Sequence, residues 1–352
     1  MKRILVLSRY GNLAASARQR FQLYEDALKE QGFILVQKPL FSNSYLKRLF
    51  SMQKTNIFGV FIAYIKRFFV ILNAGRYDRV WLQYESFPYL PAFTEKLLPL
   101  FNQNIVCDYD DAIFHKYDDW GNLFIKKILG KKLDTVISNA QYVICGNEYI
   151  EAWAKRLSSN TIIIPTVVSC QRYKQITKKE SSLVNLGWIG SPATWCYVEP
   201  YLGLIEKLAD ENNFKFLVIG SGASFDSEAF IFRDWSEESE IRDLGDIDIG
   251  IMPLPNDKWA NGKCGYKIIQ YMASSIPVIA SPVGVNSKLI LHNENGYLAN
   301  TQDDWKNYIV KLVQNVQLRK SMGIAAHRNI QTFYSLESQH KRVTSLFNSI
   351  SK

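Results

Sequence analysis

Buried-strand and amphipathic-helix patterns alternate from end to end of this chain. The N-terminal RILVLS (3–8) is a continuous apolar run, the signature of a strand covered on both faces. ARQRFQLYEDALKEQG (17–32) follows with apolar positions at helical spacing, closed by Gly32. The same alternation predicts strands at FILVQKPL (33–40), DRVWLQ (78–83), NIVCDYD (104–110), QYVICG (141–146) and TIIIP (161–165). Helices are predicted over 44–73, 89–101, 121–139 and from Asn147 onward. The pattern then stalls in the polar TVVSCQRYKQITKKESS (166–182), read as a linker. A second series opens with LVNLGWIG (183–190) and continues through helix 197–211, FKFLVIG (214–220), DIDIGIMP (246–253), helix 263–274 and PVIAS (277–281). A helical stretch near 318–350 ends it. Such an order predicts two doubly wound α/β domains with mostly parallel sheets.

The chain has 352 residues, 47% of them hydrophobic and 21% charged, which fits a globular protein of two domains and excludes a disordered one. No apolar run is long enough for a membrane span, since IFGVFIAYIKRFFVIL (57–72) is cut by Lys66 and Arg67. Five scattered cysteines and four unpaired histidines form no disulfide framework and no zinc pattern. Charge is uneven. Residues 1–100 hold 15 Lys and Arg against 6 Asp and Glu, whereas 101–352 balance. The basic, aromatic stretch YLKRLFSMQKTNIFGVFIAYIKRFF admits three readings: an anionic membrane surface, a nucleic acid, or a buried helix with solvated lysines.

Ligands of doubly wound sheets bind beyond the carboxyl ends of the strands. Those ends carry Gly11, Arg18, Glu85, Asp108, Asp110, Asp111, Glu148, Gly190 and Ser191. In NGKCGYKIIQYMASSIPVIASPVG (261–284), Lys263 and Lys267 fall where a helix is expected to begin. Cations are disfavoured there by roughly 0.3–1 kcal/mol each, so the placement calls for an anion. Asp110, Asp111, Glu85 and Glu148 are candidates for hydrogen bonds to hydroxyls of ligands held there. Trp235 and Tyr266 are candidates for stacking.

GKCGYKIIQYMASSIPVIASPVGVN, with SRYGNLAASARQRF, CDYDDAIF, CGNEY, GWIGSPAT and WSEESEIRDLGDIDIGIMPLP in order before it, resembles the retaining family-4 glycosyltransferases of GT-B architecture. Within them it is most like a bacterial subgroup with G-K-C-G-[FY]-K-x-x-Q-Y-M-A. The resemblance implies two Rossmann-like domains facing a cleft: an acceptor-binding domain over 1–166, a linker over 167–182, and a nucleotide-sugar domain over 183–325. Residues 326–352 would return as a helical segment to the first domain. It also implies metal-independent transfer from a UDP- or GDP-linked sugar to a lipid-linked or oligosaccharide acceptor in surface polysaccharide synthesis. The setting would be cytoplasmic, peripheral on the membrane, with no cofactor and no nucleic acid.

Departures from the family pattern matter. The family's Glu-x7-Glu pair falls on Gly262 and Gln270, and its Arg/Lys pair is missing from Gly190, Ser191, Pro192, Ala193 and Thr194. Lys263 and Lys267 are the expected replacement for those cations, with backbone N–H groups around Gly265 and Tyr266 completing a phosphate cradle and Gln270 reaching a donor hydroxyl. Competing readings are a nucleotide-sugar 2-epimerase and a non-catalytic partner of a transferase. No G-x-G-x-x-G follows RILVLS, which disfavours a dehydrogenase.

Overall fold

A computed structural model describes all residues except 52, 55, 120, 175–182 and 351–352. Two compact units emerge. The first comprises Met1–Thr166, Asn261–Cys264 and Gln339–Lys352; the second comprises Val167–Ala260 and Gly265–Ser338. The predicted return of the C-terminus at 326 is therefore too early, because the chain stays with the second unit through Ser338. Half of the predicted 167–182 linker, residues 175–182, lies outside the described residues, and in the other half Val167, Val168, Cys170 and Tyr173 are buried.

The first unit holds strands β1 (Lys2–Leu7), β2 (Phe33–Gln37), β3 (Arg79–Gln83), β4 (Ile105–Tyr109), β5 (Tyr142–Cys145) and β6 (Thr161–Ile163). They form one all-parallel sheet in the order β2-β1-β3-β4-β5-β6. β3 and β4 are buried at every position, which is why they read as unbroken runs rather than alternations. The chain reverses direction of travel between β1 and β3, creating the crevice where ligands of such sheets sit. The C-terminal helix Leu336–Ser349 closes this unit: Phe347 packs on Trp81 with ring centroids 4.8 Å apart, and Arg79 donates to the carbonyl of Ile350.

The predicted 44–73 helix is two helices, Asn43–Phe50 and Ile57–Leu72. Each has its own N-cap, Ser42 accepting from the N–H of Tyr45 and Asn56 from that of Gly59.

The second unit holds β7 (Val184–Ile189), β8 (Phe214–Ile219), β9 (Phe230–Arg233), β10 (Ile249–Met252), β11 (Val278–Ala280) and β12 (Gly296–Leu298). Its order is β12-β11-β10-β7-β8-β9, again all parallel, with the crevice between β7 and β10. β9 and β12 were not predicted; both are edge strands, four and three residues long, too short to set a period.

Candidate active site

In the first unit, register brings the ends of β3, β4 and β5 level, Gln83 opposite Asp108 and Tyr109 opposite Cys145. The three neighbouring aspartates have separate tasks. Asp108 is fully buried and accepts from Arg20 Nε at 2.9 Å and Trp81 Nε1 at 3.1 Å. Burial pushes its carboxyl up to about 6, with the Arg20 guanidinium opposing. Asp110 accepts from the Tyr84 hydroxyl, and Tyr84 itself is held at φ +62, a left-handed conformation rare for a bulky residue. Asp111 is only half-buried, and its carboxyl is shifted up by desolvation and by Asp110, while Lys263 and Lys116 pull it down. Among the described residues, no group of three or more His, Cys, Asp or Glu side chains is placed to hold a metal ion.

Glu85 is not an open carboxylate. It is buried, 2.7 Å from Lys132 Nζ, with the Tyr117 hydroxyl 2.8 Å from both of its oxygens. Lys132 also lies 3.3 Å from Glu95, which accepts from the N–H groups of Ser86 and Phe87. The geometry thus gives Glu85 a role in fixing the loop after β3. Glu148 is exposed at the first position of helix Glu148–Ala154, whose N-cap is Asn147, and its charge favours that helix end. Arg18, predicted for the ligand, is buried and donates through Nη1 to the carbonyls of Asn12 and Leu13, fastening the loop after β1. Gly11 leaves room for a protein atom: an added Cβ would lie 2.5 Å from Asn43 Oδ1.

Asn261–Cys264 belongs to this first unit. Gly262 presses on Ala112, where an added Cβ would come within 2.1 Å of the Ala112 Cβ. Asn147 Nδ2 donates to the carbonyls of Gly262 and Lys263 at 3.1 and 3.2 Å. The Cys264 thiol donates to the carbonyl of Asp110 at 2.7 Å. Three contacts therefore strap G-K-C to the ends of β4 and β5, and they set the backbone of Lys263 where its charge acts on Asp111. The sequence did not show this strap, because its partners lie more than a hundred residues away.

In the second unit, the helix predicted from 263 begins at Tyr266 and runs to Ala273. Gly265 stands before it at φ +67, and an added Cβ would lie 2.5 Å from Leu289 Cδ1. Both the conformation and the packing require glycine. Lys263 is consequently not in the first helical turn, a correction to the expected pair of lysines; Lys267 alone occupies it. Lys267 Nζ donates to Thr194 Oγ1 at 2.9 Å and stands 4.5 Å from the centroid of the Trp188 ring. An added Cβ on Gly190 would meet that Nζ at 2.7 Å, so the ammonium lies against the chain where β7 ends. Ser191 then caps the short helix Pro192–Trp195, its carbonyl accepting from the N–H and hydroxyl of Thr194. Thr194 and Trp188, which hold the ammonium, were within the quoted GWIGSPAT but not singled out. Tyr266 is half-buried, and Gln270 is buried with the Tyr173 hydroxyl bonded to both. Gln270 is thus a helix-packing residue on its Tyr173 side, and its Nε2 has no partner among the described residues. Trp235 Nε1 donates to Glu240 at 3.1 Å.

A lysine at the turn after the first strand of a doubly wound sheet, beside the crevice between β7 and β10, is an arrangement able to hold an anion. Residues 186–315, which span this turn and Lys267, match the family model described as Glycosyl transferases group 1. The chain is also 26% identical over 226 residues, 60% of its length, to an uncharacterized glycosyltransferase of Methanocaldococcus jannaschii; the match spans 59% of that relative. Among solved structures it resembles sucrose-phosphate synthase from Thermosynechococcus elongatus, with a TM-score of 0.69 and 14% identity over 99% of this chain and 98% of that one. It resembles equally the HepE protein of Anabaena in complex with UDP and glucose, with a TM-score of 0.69 and 12% identity over 99% and 100%. At such identity the likeness speaks for the fold, and the fold is GT-B. No helix among the described residues is long and apolar enough to cross a membrane.

Proposed function

We propose that this chain is a retaining, metal-independent glycosyltransferase that takes a sugar from a nucleoside-diphosphate donor. The observation that carries the proposal is Lys267, held by Thr194 against the Gly190 turn inside the segment that matches the group 1 transferases. The second unit would hold the donor. UDP is the favoured diphosphate, since a protein of the same fold is in complex with UDP and glucose. The first unit would take a lipid-linked or oligosaccharide acceptor of surface polysaccharide synthesis, with Asp110 and Asp111 near the transferred sugar or the acceptor hydroxyl. The site of action would be the cytoplasmic side of a membrane.

In the transfer, the bond between the anomeric carbon and the leaving phosphate oxygen breaks. The acceptor oxygen bonds the same carbon on the same face, and its proton passes to the departing phosphate. Lys267 would strengthen its contact as charge collects on that phosphate, which lowers the barrier. Lys263, four residues earlier, is proposed as a second cation for the donor, replacing the arginine and lysine that the turn after β7 lacks.

Calorimetric titration of UDP, GDP and their sugar conjugates tests this reading. One diphosphate should bind, and Lys267→Ala should weaken it roughly tenfold or more, the worth of one charge-assisted hydrogen bond. Equal affinity in the variant would remove Lys267 from the site. No binding of any nucleotide would leave the non-catalytic partner as the reading. Conversion of the sugar nucleotide without an acceptor would favour the epimerase.

A further inference from the structure

The helix Ile57–Leu72 turns its apolar side outward. Ile57 is 82% exposed, Phe58 71%, Phe61 61% and Phe69 58%, with Ile65 and Phe68 above 40% or at it. At 100° per residue these six positions fall within roughly a third of the helix circumference, one unbroken stripe. Leu49 and Phe50 on the preceding helix Asn43–Phe50 are also exposed. The third sequence reading, a buried helix with solvated lysines, is thereby overturned for this face. Contiguous exposed apolar area of this kind marks a surface that something covers.

Charge says what covers it. From Gln31 to Tyr77 the chain carries seven Lys and Arg and no Asp or Glu. Between the two helices lies a cavity of about 450 Å³, lined by Arg48, Lys54 and Lys66 together with Tyr45, Leu49 and Ile62, and by no carboxylate. Three cations around an apolar floor, next to an aromatic stripe, suit a ligand with an anionic head and an apolar body. A second copy of the chain would bring like charges together across the same patch. A nucleic acid would leave the six apolar side chains in water.

We propose that this face docks on an anionic bilayer, with the stripe from Ile57 to Phe69 entering the headgroup region and the cavity between the helices taking a phospholipid phosphate. Aromatic and apolar burial supplies the hold, and the cations supply the preference for negative lipid. The inference requires no sugar donor and goes beyond the transfer reaction.

Co-sedimentation of the full chain with vesicles tests it, comparing phosphatidylcholine alone with phosphatidylcholine containing phosphatidylglycerol. The chain should bind the anionic vesicles and release as salt rises. Phe58→Ser/Phe61→Ser/Phe69→Ser should lower the bound-to-free ratio about tenfold or more, as should Lys54→Glu/Lys66→Glu, where each cation near the surface counts for about 1 kcal/mol. Circular dichroism and melting temperature confirm that the variants fold; Phe58→Ser alone is the fallback if the triple variant does not. Equal binding to both vesicle types, or binding unchanged in the variants, overturns the proposal. So does a dimer in light scattering that becomes monomeric with the serine substitutions, which would assign the stripe to a second copy.

Discussion

Gly262 and Lys263 show how much one position decides. The family resemblance puts a glutamate at 262, yet Gly262 touches Ala112 so closely that no Cβ fits without backbone movement. Gly262→Ala should cost about 1–3 kcal/mol by overpacking, measured by chemical denaturation. Ala112→Gly in the same chain should return part of it; additive losses would show that the contact is not the cause. Next door, the raised proton affinity of Asp111 comes first from desolvation and Asp110, with Lys263 opposing. Lys263→Ala should therefore raise it further. An acid whose folded pKa is raised contributes stability at low pH that is lost as pH climbs through that value. In the variant this loss should shift to higher pH, followed by carboxylate NMR of Asp111. A downward shift would contradict the geometry.

At the scale of elements, helix Gln302–Gln314 rests on a reciprocal cap. Thr301 Oγ1 accepts from the N–H of Asp304 at 3.1 Å, and Asp304 accepts from the N–H groups of Thr301 and Asn300 at 2.9 Å each. Thr301→Ala should cost about 1 kcal/mol of stability. Those backbone donors depress the Asp304 carboxyl, so its contribution is present near neutral pH and is lost as pH falls through the depressed value. Asp304→Asn should lower the melting temperature at neutral pH, and the gap from wild type should narrow in acid. Ten of the twelve strands among the described residues were legible in the sequence, most of them because strands buried on both faces read as apolar runs. What stayed hidden was the start of helix Tyr266–Ala273 and the destination of G-K-C. The αL conformation of Gly265 and the thiol of Cys264 on Asp110 are set by contacts distant in sequence, which periodicity does not encode. Arg18 and Glu85 looked like ligands for the same reason: their partners are a loop carbonyl pair and a lysine from another helix.

Across the whole molecule, two sheets of the same winding each present one crevice, between β1 and β3 and between β7 and β10. The two crevices differ in chemistry. Around the first stand Tyr84 and the aspartates after β4; beside the second stand Gly190, Ser191 and Lys267. A phosphate-bearing ligand is therefore expected at the second, where a cation and a chain lacking a Cβ permit close approach. Hydrogen exchange read by mass spectrometry distinguishes them. Saturating UDP, at about 100 times its dissociation constant, adds about 2.7 kcal/mol to the state that binds it. Protection should concentrate on 189–195 and 265–271 and be weaker over 84–90 and 109–112. Protection confined to the first unit's strand ends would reverse the assignment of donor and acceptor between the two units, while Lys267 would then lose its reason for standing at the end of β7.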